Sequence, residues 1–159
     1  MPDRIKPIIH LAADHAAYEL KEELKKYLTR AKYEVVDQGA FKLSPTDDYP
    51  DFILPAAEAV AKSRGRAVAI VMGGSGIGEC IVANKVSGVR AALAYDSYTT
   101  RLSRQHNDAN VLCLGSRTLS GTPIIAKKLV NIWLRTSFTG EARHRRRLKK
   151  ITSYEKGSV

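Results

Sequence analysis

Short apolar runs alternate along the chain with longer segments whose apolar residues recur at helical spacing. The runs predict strands at about residues 7–12, 33–37, 67–72, 89–95 and 110–115. The longer segments predict helices at about 16–31, 51–64, 80–86 and 97–106, one from Pro123, and a charged C-terminal helix at about 141–156. Strands that alternate with helices are typical of an α/β fold. We predict a doubly wound, five-stranded parallel sheet in order 2-1-3-4-5, with the three layers of Rossmann- and flavodoxin-like proteins and an extra C-terminal helix.

This topology predicts where a ligand binds. In doubly wound sheets, ligands bind beyond the carboxyl ends of the strands, where the winding direction reverses. In the predicted order this point lies between the first and third strands. Asp14 and His15 follow the first strand, and the segment Gly74–Glu79 follows the third. We therefore expect these two segments to meet.

The segment after the third strand is the most informative stretch of the chain. The unbroken apolar run 67–72 ends in a loop of alternating glycines, Gly73–Gly78, and Glu79 follows directly. Such a loop points backbone N–H groups, and the positive end of the next helix, at one place. Amide donors beside a carboxylate favour proton abstraction next to a carbonyl, with the amides holding the enolate oxygen.

Two other glycine loops fit less well, and a third interpretation stays open. A Walker loop needs Lys-Ser/Thr after its last glycine, where this chain has Glu79-Cys80. The dinucleotide fingerprint needs a third glycine where Glu79 stands, and it normally follows the first strand. A tight strand–helix turn without any ligand is the remaining alternative.

Composition places few further limits on function. The 159 residues suit one domain spanning 1–159, and 44% hydrophobic with 26% charged residues is ordinary for a globular protein. No apolar run approaches membrane-spanning length, and Met1–Arg4 does not resemble a signal peptide. Two cysteines form neither a disulfide framework nor a metal-ligand pattern, so we expect a reduced, cytoplasmic protein.

The net charge of +10 comes largely from one tail segment. A basic patch of this kind serves either nucleic acid or a small phosphate ester. Arg143 and Arg147 are four residues apart and share one helical face, where they could grip a phosphate. A solvated basic face is the alternative.

Three other polar residues have both a structural and a functional interpretation. Asp14 and His15 could cap the next helix, or they could bind a polyol and its phosphate. His106, at a predicted helix end, could compensate the helix dipole, or it could protonate a sugar ring oxygen.

Several segments of the chain resemble the type B ribose-5-phosphate isomerases, in the same order and from about Ile8 to Ile151. The matching segments are 10–16, 47–50, 73–79, 83–85, 103–111, 114–117 and 143–147.

The resemblance implies a role for individual residues. Asp14 and His15 would contact the sugar phosphate, and His106 would open the furanose ring with Asn107 beside it. The loop residues that would surround an enediolate are Gly74, Ser75, Gly76, Ile77 and Gly78. The arginines that would hold the phosphate are Arg117, Arg143 and Arg147. No metal or organic cofactor is implied, and members of the family are homodimers or dimers of dimers whose active sites use both subunits.

One position departs from the pattern of many members of this family. They place a catalytic cysteine where this chain has Gly73, whereas a second branch uses a glutamate at the position of Glu79. The sequence is therefore similar to the glutamate branch, in agreement with the chemistry that the loop itself indicates.

The resemblance implies an aldose–ketose isomerase of the non-oxidative pentose phosphate pathway. It would interconvert D-ribose 5-phosphate and D-ribulose 5-phosphate through a cis-enediolate, with Glu79 as base. Two alternatives remain at this point. One is an isomerase of a 6-phosphohexose such as allose 6-phosphate. The other is a nucleic-acid-binding module that uses the basic tail, for which the sequence offers no aromatic platform or known motif.

Overall fold

Five parallel strands form one sheet in the computed structural model, which describes residues 6–157. The strands are β1 Ile8–Ala13, β2 Val35–Asp37, β3 Ala67–Gly73, β4 Ala91–Leu93 and β5 Val111–Gly115. The helices are α1 Tyr18–Arg30, α2 Pro50–Lys62, α3 Ile77–Ala83, α4 Ser97–Asn107, α5 Pro123–Arg135 and α6 Ala142–Glu155, with a 3-10 turn at His15–Ala17 before α1. The α/β class and the extra C-terminal helix are confirmed.

The order of the last two strands differs from the prediction. The sheet runs β2-β1-β3-β5-β4, so β5 lies beside β3 and β4 is at the edge, and the predicted order 2-1-3-4-5 is wrong there. The physical reason is that β5 is the more apolar of the two strands and is therefore better suited to the interior of the sheet. Every residue of β5 is buried, whereas the three residues of β4 are only partly buried and suit an edge. The reversal between β1 and β3 is unaffected, because both strands pair in parallel register from Ile8 with Ala67 to Ala13 with Met72.

Two apolar clusters cover the two faces of the sheet. One contains α1 and α5 residues, with the fully buried Trp133 as its largest side chain. The other packs Ile53 and Val60 of α2 and Ala83 of α3 against the opposite face. Helices on both faces leave only the two ends of the sheet open, so the ends of the strands are where polar side chains converge.

Helix termini follow the signals that the sequence carries. The Asp96 side chain accepts a hydrogen bond from the Thr99 N–H at 2.7 Å, which caps α4. Pro50 and Pro123 stand in the first turns of α2 and α5, where a missing N–H costs nothing. The helix after the glycine loop ends at Ala83, earlier than the predicted Val86.

Two findings bear on the expectations about targeting. Within residues 6–157, no helix combines the length and apolar character needed to cross a membrane. Met1–Arg4, on which the expectation about a signal peptide rests, lie outside the described residues.

Candidate active site

The glycine loop is built by close contacts between backbones at the carboxyl end of the sheet. Gly76 has a φ of +78°, and a Cβ at this position would lie 2.8 Å from the Leu114 carbonyl carbon. A Cβ at Gly115 would lie 2.5 Å from the Ser75 carbonyl oxygen. Only glycine fits both positions, because any side chain would push the loop away from the end of β5.

The carboxyl group of Glu79 fills the space beside Gly73. Glu79 is 4% exposed, and a Cβ built on Gly73 would overlap its carboxyl carbon and oxygens. A Cβ on Gly78 would lie 2.8 Å from the ring of Tyr49, which covers the loop from the side of α2. The absence of side chains at positions 73 and 78 is therefore what admits a buried carboxyl group and an aromatic ring at the loop.

The environment of Glu79 makes its carboxylate a stronger base than an exposed one. Burial raises the pKa of this carboxyl above its usual value, and the negative charge of Asp14 raises it further. The N–H of Glu79 itself opposes these effects in part. A carboxylate with a raised pKa, at the end of a buried strand, has the properties of a general base.

Ser75 is oriented by its own loop. Its hydroxyl oxygen accepts a hydrogen bond from the Ile77 N–H at 3.2 Å, which leaves the hydroxyl hydrogen free to be donated elsewhere. The helix that begins at Ile77 has only seven residues. Donors for a developing oxyanion are therefore expected from the loop and from Ser75 more than from the dipole of this short helix.

Asp14 and His15 lie beside the loop, as the sequence predicts. Asp14 is buried, and its Oδ1 accepts from the Ala16 N–H at 3.0 Å, so it does cap the 3-10 turn. It also lies close enough to Glu79 to influence its pKa, so capping does not remove it from the site. His15 is partly exposed at the mouth of the site.

Asp47 lies against His15 but was not among the residues singled out from the sequence, although its segment contributed to the resemblance. Its Oδ1 accepts from the His15 backbone N–H at 3.0 Å and lies 2.6 Å from the His15 Nδ1. A carboxylate in this place fixes the His15 proton on Nδ1, and Nε2 is left for a ligand. The other oxygen, Oδ2, is buried and has no hydrogen-bond partner among the described residues.

Asp14, His15 and Asp47 are also the one group among residues 6–157 with the types and spacing of a cation site. Their candidate ligand atoms lie within 4.8 Å of one another. The short contact between Asp47 Oδ1 and the His15 ring engages one oxygen of this group, Asp47 Oδ2 stays without a partner in the described chain, and acidic clusters of this kind are common without a metal. The chemistry of the group therefore fits hydrogen bonding to a polar substrate at least as well as metal binding.

Arg117 completes this side of the site. Its N–H donates to the Gly74 carbonyl at 3.0 Å, and a Cβ on Gly74 would lie 3.1 Å from its Nη1. The exposed guanidinium therefore rests against the glycine loop, where it can reach an anion bound there.

The remaining candidates lie at the opposite end of the sheet. They are His106, Asn107, Arg143 and Arg147. Helix α4 follows β4 and runs back, so its last residues approach the amino ends of the strands. Arg90, directly before β4, donates from Nε to the Asn107 carbonyl at 2.9 Å. Since β3 has seven residues, about 20 Å of strand separates the two ends.

Helix α6 attaches to α4 through a residue that sequence reasoning missed. The ring of His144 stacks on the ring of His106, with centroids 4.3 Å apart and planes at 15°. His144 is the buried residue of α6, and burial together with the charge of His106 lowers the pKa of its ring. The stack places Arg143 and Arg147, both exposed, on the same end of the molecule as His106.

Within one chain, the predicted site is therefore divided into two groups. We call them the carboxyl-end group and the amino-end group. The carboxyl-end group consists of Asp14, His15, Gly74, Ser75, Gly76, Ile77, Gly78, Glu79 and Arg117. The amino-end group consists of His106, Asn107, Arg143 and Arg147. The structure brings together the members of each group, and one chain does not bring the two groups to each other.

Known proteins share both this sequence and this fold. Residues 9–151 match the family described as Ribose/Galactose Isomerase. The chain is 42% identical to a probable ribose-5-phosphate isomerase B of Mycoplasma pneumoniae, over 93% of this chain and 95% of that protein. The ribose-5-phosphate isomerase B structure of Clostridium thermocellum has 43% identity and a TM-score of 0.88, with 96% of this chain and 99% of that one covered. The enzyme of Mycoplasma genitalium, solved with bound ribulose-5-phosphate, has 40% identity and a TM-score of 0.91 over the same shares. A match over nearly the whole chain, in sequence and in structure, shows that this chain belongs to the ribose/galactose isomerase family.

Proposed function

We propose that this chain is an aldose–ketose isomerase that interconverts D-ribose 5-phosphate and D-ribulose 5-phosphate. The observation that carries the proposal is the buried carboxyl of Glu79, whose pKa is raised and which lies against Gly73 beside a loop of amides and Ser75. The relatives of this chain that are named ribose-5-phosphate isomerase B support the same reaction.

The chemistry follows from the placement of these groups. Glu79 removes the proton from C2 of the open aldose, and the electrons form a cis-enediolate. The hydroxyl of Ser75 and the loop amides stabilise the negative oxygen as it develops. The hydroxyl proton passes from O2 to O1, Glu79 returns its proton to C1, and the C2 carbonyl forms, which gives the ketose. Asp14 and Asp47 offer acceptors to sugar hydroxyls, and His15 and Arg117 offer donors to the substrate.

The division of the site leads to a second part of the proposal. His106 is suited to open the sugar ring, but about 20 Å of sheet separates it from Glu79 within one chain. We propose that two copies of the chain complete each other's sites, with the carboxyl-end group of one facing the amino-end group of the other. Arg117 then comes from the same chain as Glu79, whereas Arg143 and Arg147 come from its partner.

The first test addresses the base. Glu79→Gln should keep the shape of the pocket but lower kcat for ribose 5-phosphate by about 10³-fold, because the amide cannot take a proton. Cys80→Ala, the matched control at the next position, should change kcat by no more than a few-fold. An active Glu79→Gln variant with an inactive Cys80→Ala variant would reject the assignment of the base.

The second test addresses the shared site. Glu79→Gln and His106→Ala chains, each with a different affinity tag, are co-expressed, and the mixed dimer is isolated on both tags. One of its two sites contains a wild-type Glu79 and a wild-type His106, so about half of the wild-type activity per dimer should return.

The matched control combines both substitutions in one chain and pairs that chain with wild type. Each site then lacks one of the two residues, so this mixed dimer should be nearly inactive. If both residues instead act within one chain, the two results exchange. The first mixed dimer would be nearly inactive, and the control dimer would retain about half of the wild-type activity per dimer.

Two further measurements address the alternative functions left open by the sequence. Allose 6-phosphate in place of ribose 5-phosphate tests a six-carbon preference. A duplex RNA titrated at several salt concentrations tests nucleic-acid binding, which would show a steep salt dependence.

Both cysteines are free thiols in the structure, and on that ground we propose a reducing, cytoplasmic location.

A further inference from the structure

The stack of His144 on His106 joins α6 to the last turn of α4. The two ring centroids lie 4.3 Å apart, and the ring planes are within 15° of parallel. His144 is 3% exposed, although the residue on either side of it is exposed. Its Nε2 is buried and has no hydrogen-bond partner among residues 6–157. A buried ring with an unpartnered nitrogen contributes its flat face at this place more than its polarity.

The stack restrains the ring of His106 without occupying its nitrogens. The His106 side chain is partly exposed, and no hydrogen bond from residues 6–157 holds its ring. A partly exposed side chain can change rotamer, and a second ring packed flat against it restricts that motion. Both nitrogens lie in the plane of the ring, so a contact with its face leaves them available to a sugar ring oxygen.

Helix α6 has anchors that do not depend on the stack. Thr139, in the segment before α6, donates to the Gln105 carbonyl from its N–H at 3.1 Å and from its hydroxyl at 2.9 Å. Near the other end of the helix, the Glu155 Oε2 accepts from the Gly88 N–H at 3.0 Å. These contacts hold both ends of α6. Loss of the stack should therefore disturb the ring of His106 more than the arginines of the helix.

We propose that His144 is a positioning residue that holds the ring of His106 in the orientation needed to open the sugar ring. This role rests on the proposed function, in which His106 passes a proton to the ring oxygen. His144 itself touches no reacting atom. The cost of losing it follows from geometry, because a catalytic group displaced by about 1 Å can lose on the order of 10²-fold in rate.

The first test removes the ring and then restores its flat face. His144→Ala should lower kcat for ribose 5-phosphate by at least about tenfold, because His106 is free to turn away from the ring oxygen. KM should change by less than about threefold, since α6 and its arginines keep their anchors. His144→Phe keeps the stack and replaces the unpartnered nitrogen by carbon, so kcat should return to within about threefold of wild type.

The matched control is Leu148→Ala, which truncates the partly buried side chain one turn further along the same face of α6. It loosens the helix but leaves the His144 ring in place, so kcat should stay within about threefold of wild type. A loss as large as that of His144→Ala, with no rescue by His144→Phe, would overturn the proposal and leave His144 as a general docking residue of α6.

A double-mutant cycle tests whether the effect passes through His106. In a His106→Ala background, His144→Ala should cost less than about a further threefold in kcat, because no ring remains to be oriented. Fully additive losses would overturn the proposal. A raised KM with unchanged kcat in both His144→Ala and His144→Phe would also overturn it, because His144 would then bind the phosphate itself.

A measurement that does not use activity tests the stack directly. The chain has four histidines, so ¹³C-histidine NMR resolves few signals, and His106→Ala identifies the one from His106. The ring current of His144 should shift the His106 ring protons upfield, His144→Ala should remove that shift, and His144→Phe should keep it. An unchanged signal in His144→Ala would overturn the proposal. A wild-type protein without isomerase activity would instead reject the proposed function, while the ring-current shift would still report on the stack.

Discussion

Individual residues determine how Glu79 ionises. Burial is the larger cause that raises its pKa, and the charge of Asp14 is a further one. The base must be ionised to work, so kcat/KM should fall in acid with a midpoint above the usual glutamate value. Asp14→Asn removes a negative charge and should move this midpoint to lower pH, whatever it does to KM.

The matched control for this pH profile is Asp48→Asn, which neutralises an exposed carboxyl close to the same site. The midpoint of kcat/KM should not move in this variant. Equal shifts in both variants would show that overall charge, and not the position of Asp14, determines the ionisation of Glu79.

Gly73 provides a second prediction at the scale of single residues. Gly73→Ala places a methyl group where the Glu79 carboxyl lies, so we expect kcat to fall at least about 10²-fold through displacement of the base. In a Glu79→Gln background the same change should cost almost nothing more, because the base is already absent. Additive losses in this double-mutant cycle would mean that Gly73 acts on the fold and not on Glu79.

The site residues that could be predicted from the sequence stand in a recognisable local pattern, whereas those that were missed depend on contacts with distant segments. Glu79 stands in a continuous pattern of apolar run, glycines and carboxylate, so its environment was predictable. Asp47 reaches His15 across 32 positions from an irregular loop, where no periodicity points to a partner. His144 lies within a run of arginines that reads as a solvated face, and only the packing of α6 on α4 reveals that its ring is buried.

At the scale of elements, α6 can be tested as a phosphate-binding helix. Arg143→Ala and Arg147→Ala should each raise KM for ribose 5-phosphate by the equivalent of about 1.5–3 kcal/mol, since each removes a charged hydrogen bond. To bind a phosphate, Arg143 must break its ion pair with Glu141, in which Nε lies 2.9 Å from Oε2. An exposed ion pair of this kind costs at most about 1 kcal/mol to break.

The matched control on α6 is Arg146→Ala, an exposed arginine about a quarter-turn around the helix from the midpoint between Arg143 and Arg147, which should leave KM nearly unchanged. Inorganic phosphate should compete with substrate in wild type and compete less well in Arg143→Ala. Three equal KM values at fixed ionic strength would show that α6 is only a solvated basic face.

The elements themselves were largely predictable, and their arrangement was less so. Periodicity and capping residues placed each strand and α-helix within about two residues of its observed bounds, except α3, which begins and ends three residues earlier than predicted. The positions of β4 and β5 in the sheet were predicted in the wrong order, because strand order depends on pairing between segments that are distant in the sequence. The stronger apolar character of 111–114 over 91–93 was the available signal, since a central strand is buried on both faces.

The stability of the whole molecule should depend on a cation buried between α1 and β2. Lys21 is fully buried, and its Nζ lies 2.8 Å from both carboxylate oxygens of Asp37. Burial acts to raise the pKa of Asp37, but the hydrogen bonds from Lys21, Lys25 and the Gly39 N–H outweigh it and lower this pKa. The stabilisation is therefore complete above the unfolded pKa of aspartate and is lost as the pH falls through the lower folded value.

Asp37→Asn should lower the free energy of unfolding at neutral pH by about 3 kcal/mol, because it leaves Lys21 buried without its main partner. The variant should also lose less stability in acid than wild type. Glu58→Gln removes an exposed partner of Lys62 and should change stability by less than about 1 kcal/mol. Urea unfolding of the three proteins at several pH values measures both effects, and similar curves for the two variants would refute this role of Asp37.

The separation of the two groups of site residues is also a property of the whole molecule. A helix that follows a parallel strand runs back toward the amino ends, so His106, near the end of α4, had to lie far from Glu79. The resemblance to a family placed both residues in one site, and the direction of α4 shows that one chain does not join them. In the shared site proposed above, this topology assigns Glu79 to one chain and His106 to its partner.

The contact between Gly73 and Glu79 limits which side chain can supply a base at this end of β3. A cysteine at position 73 and a glutamate at position 79 would compete for the same volume at the end of β3. Gly73→Cys alone would crowd both side chains into one space and displace the Glu79 carboxyl. A base at position 73 therefore requires a shorter residue at position 79, so this site holds one of the two bases at a time, and moving from one to the other takes two coupled substitutions.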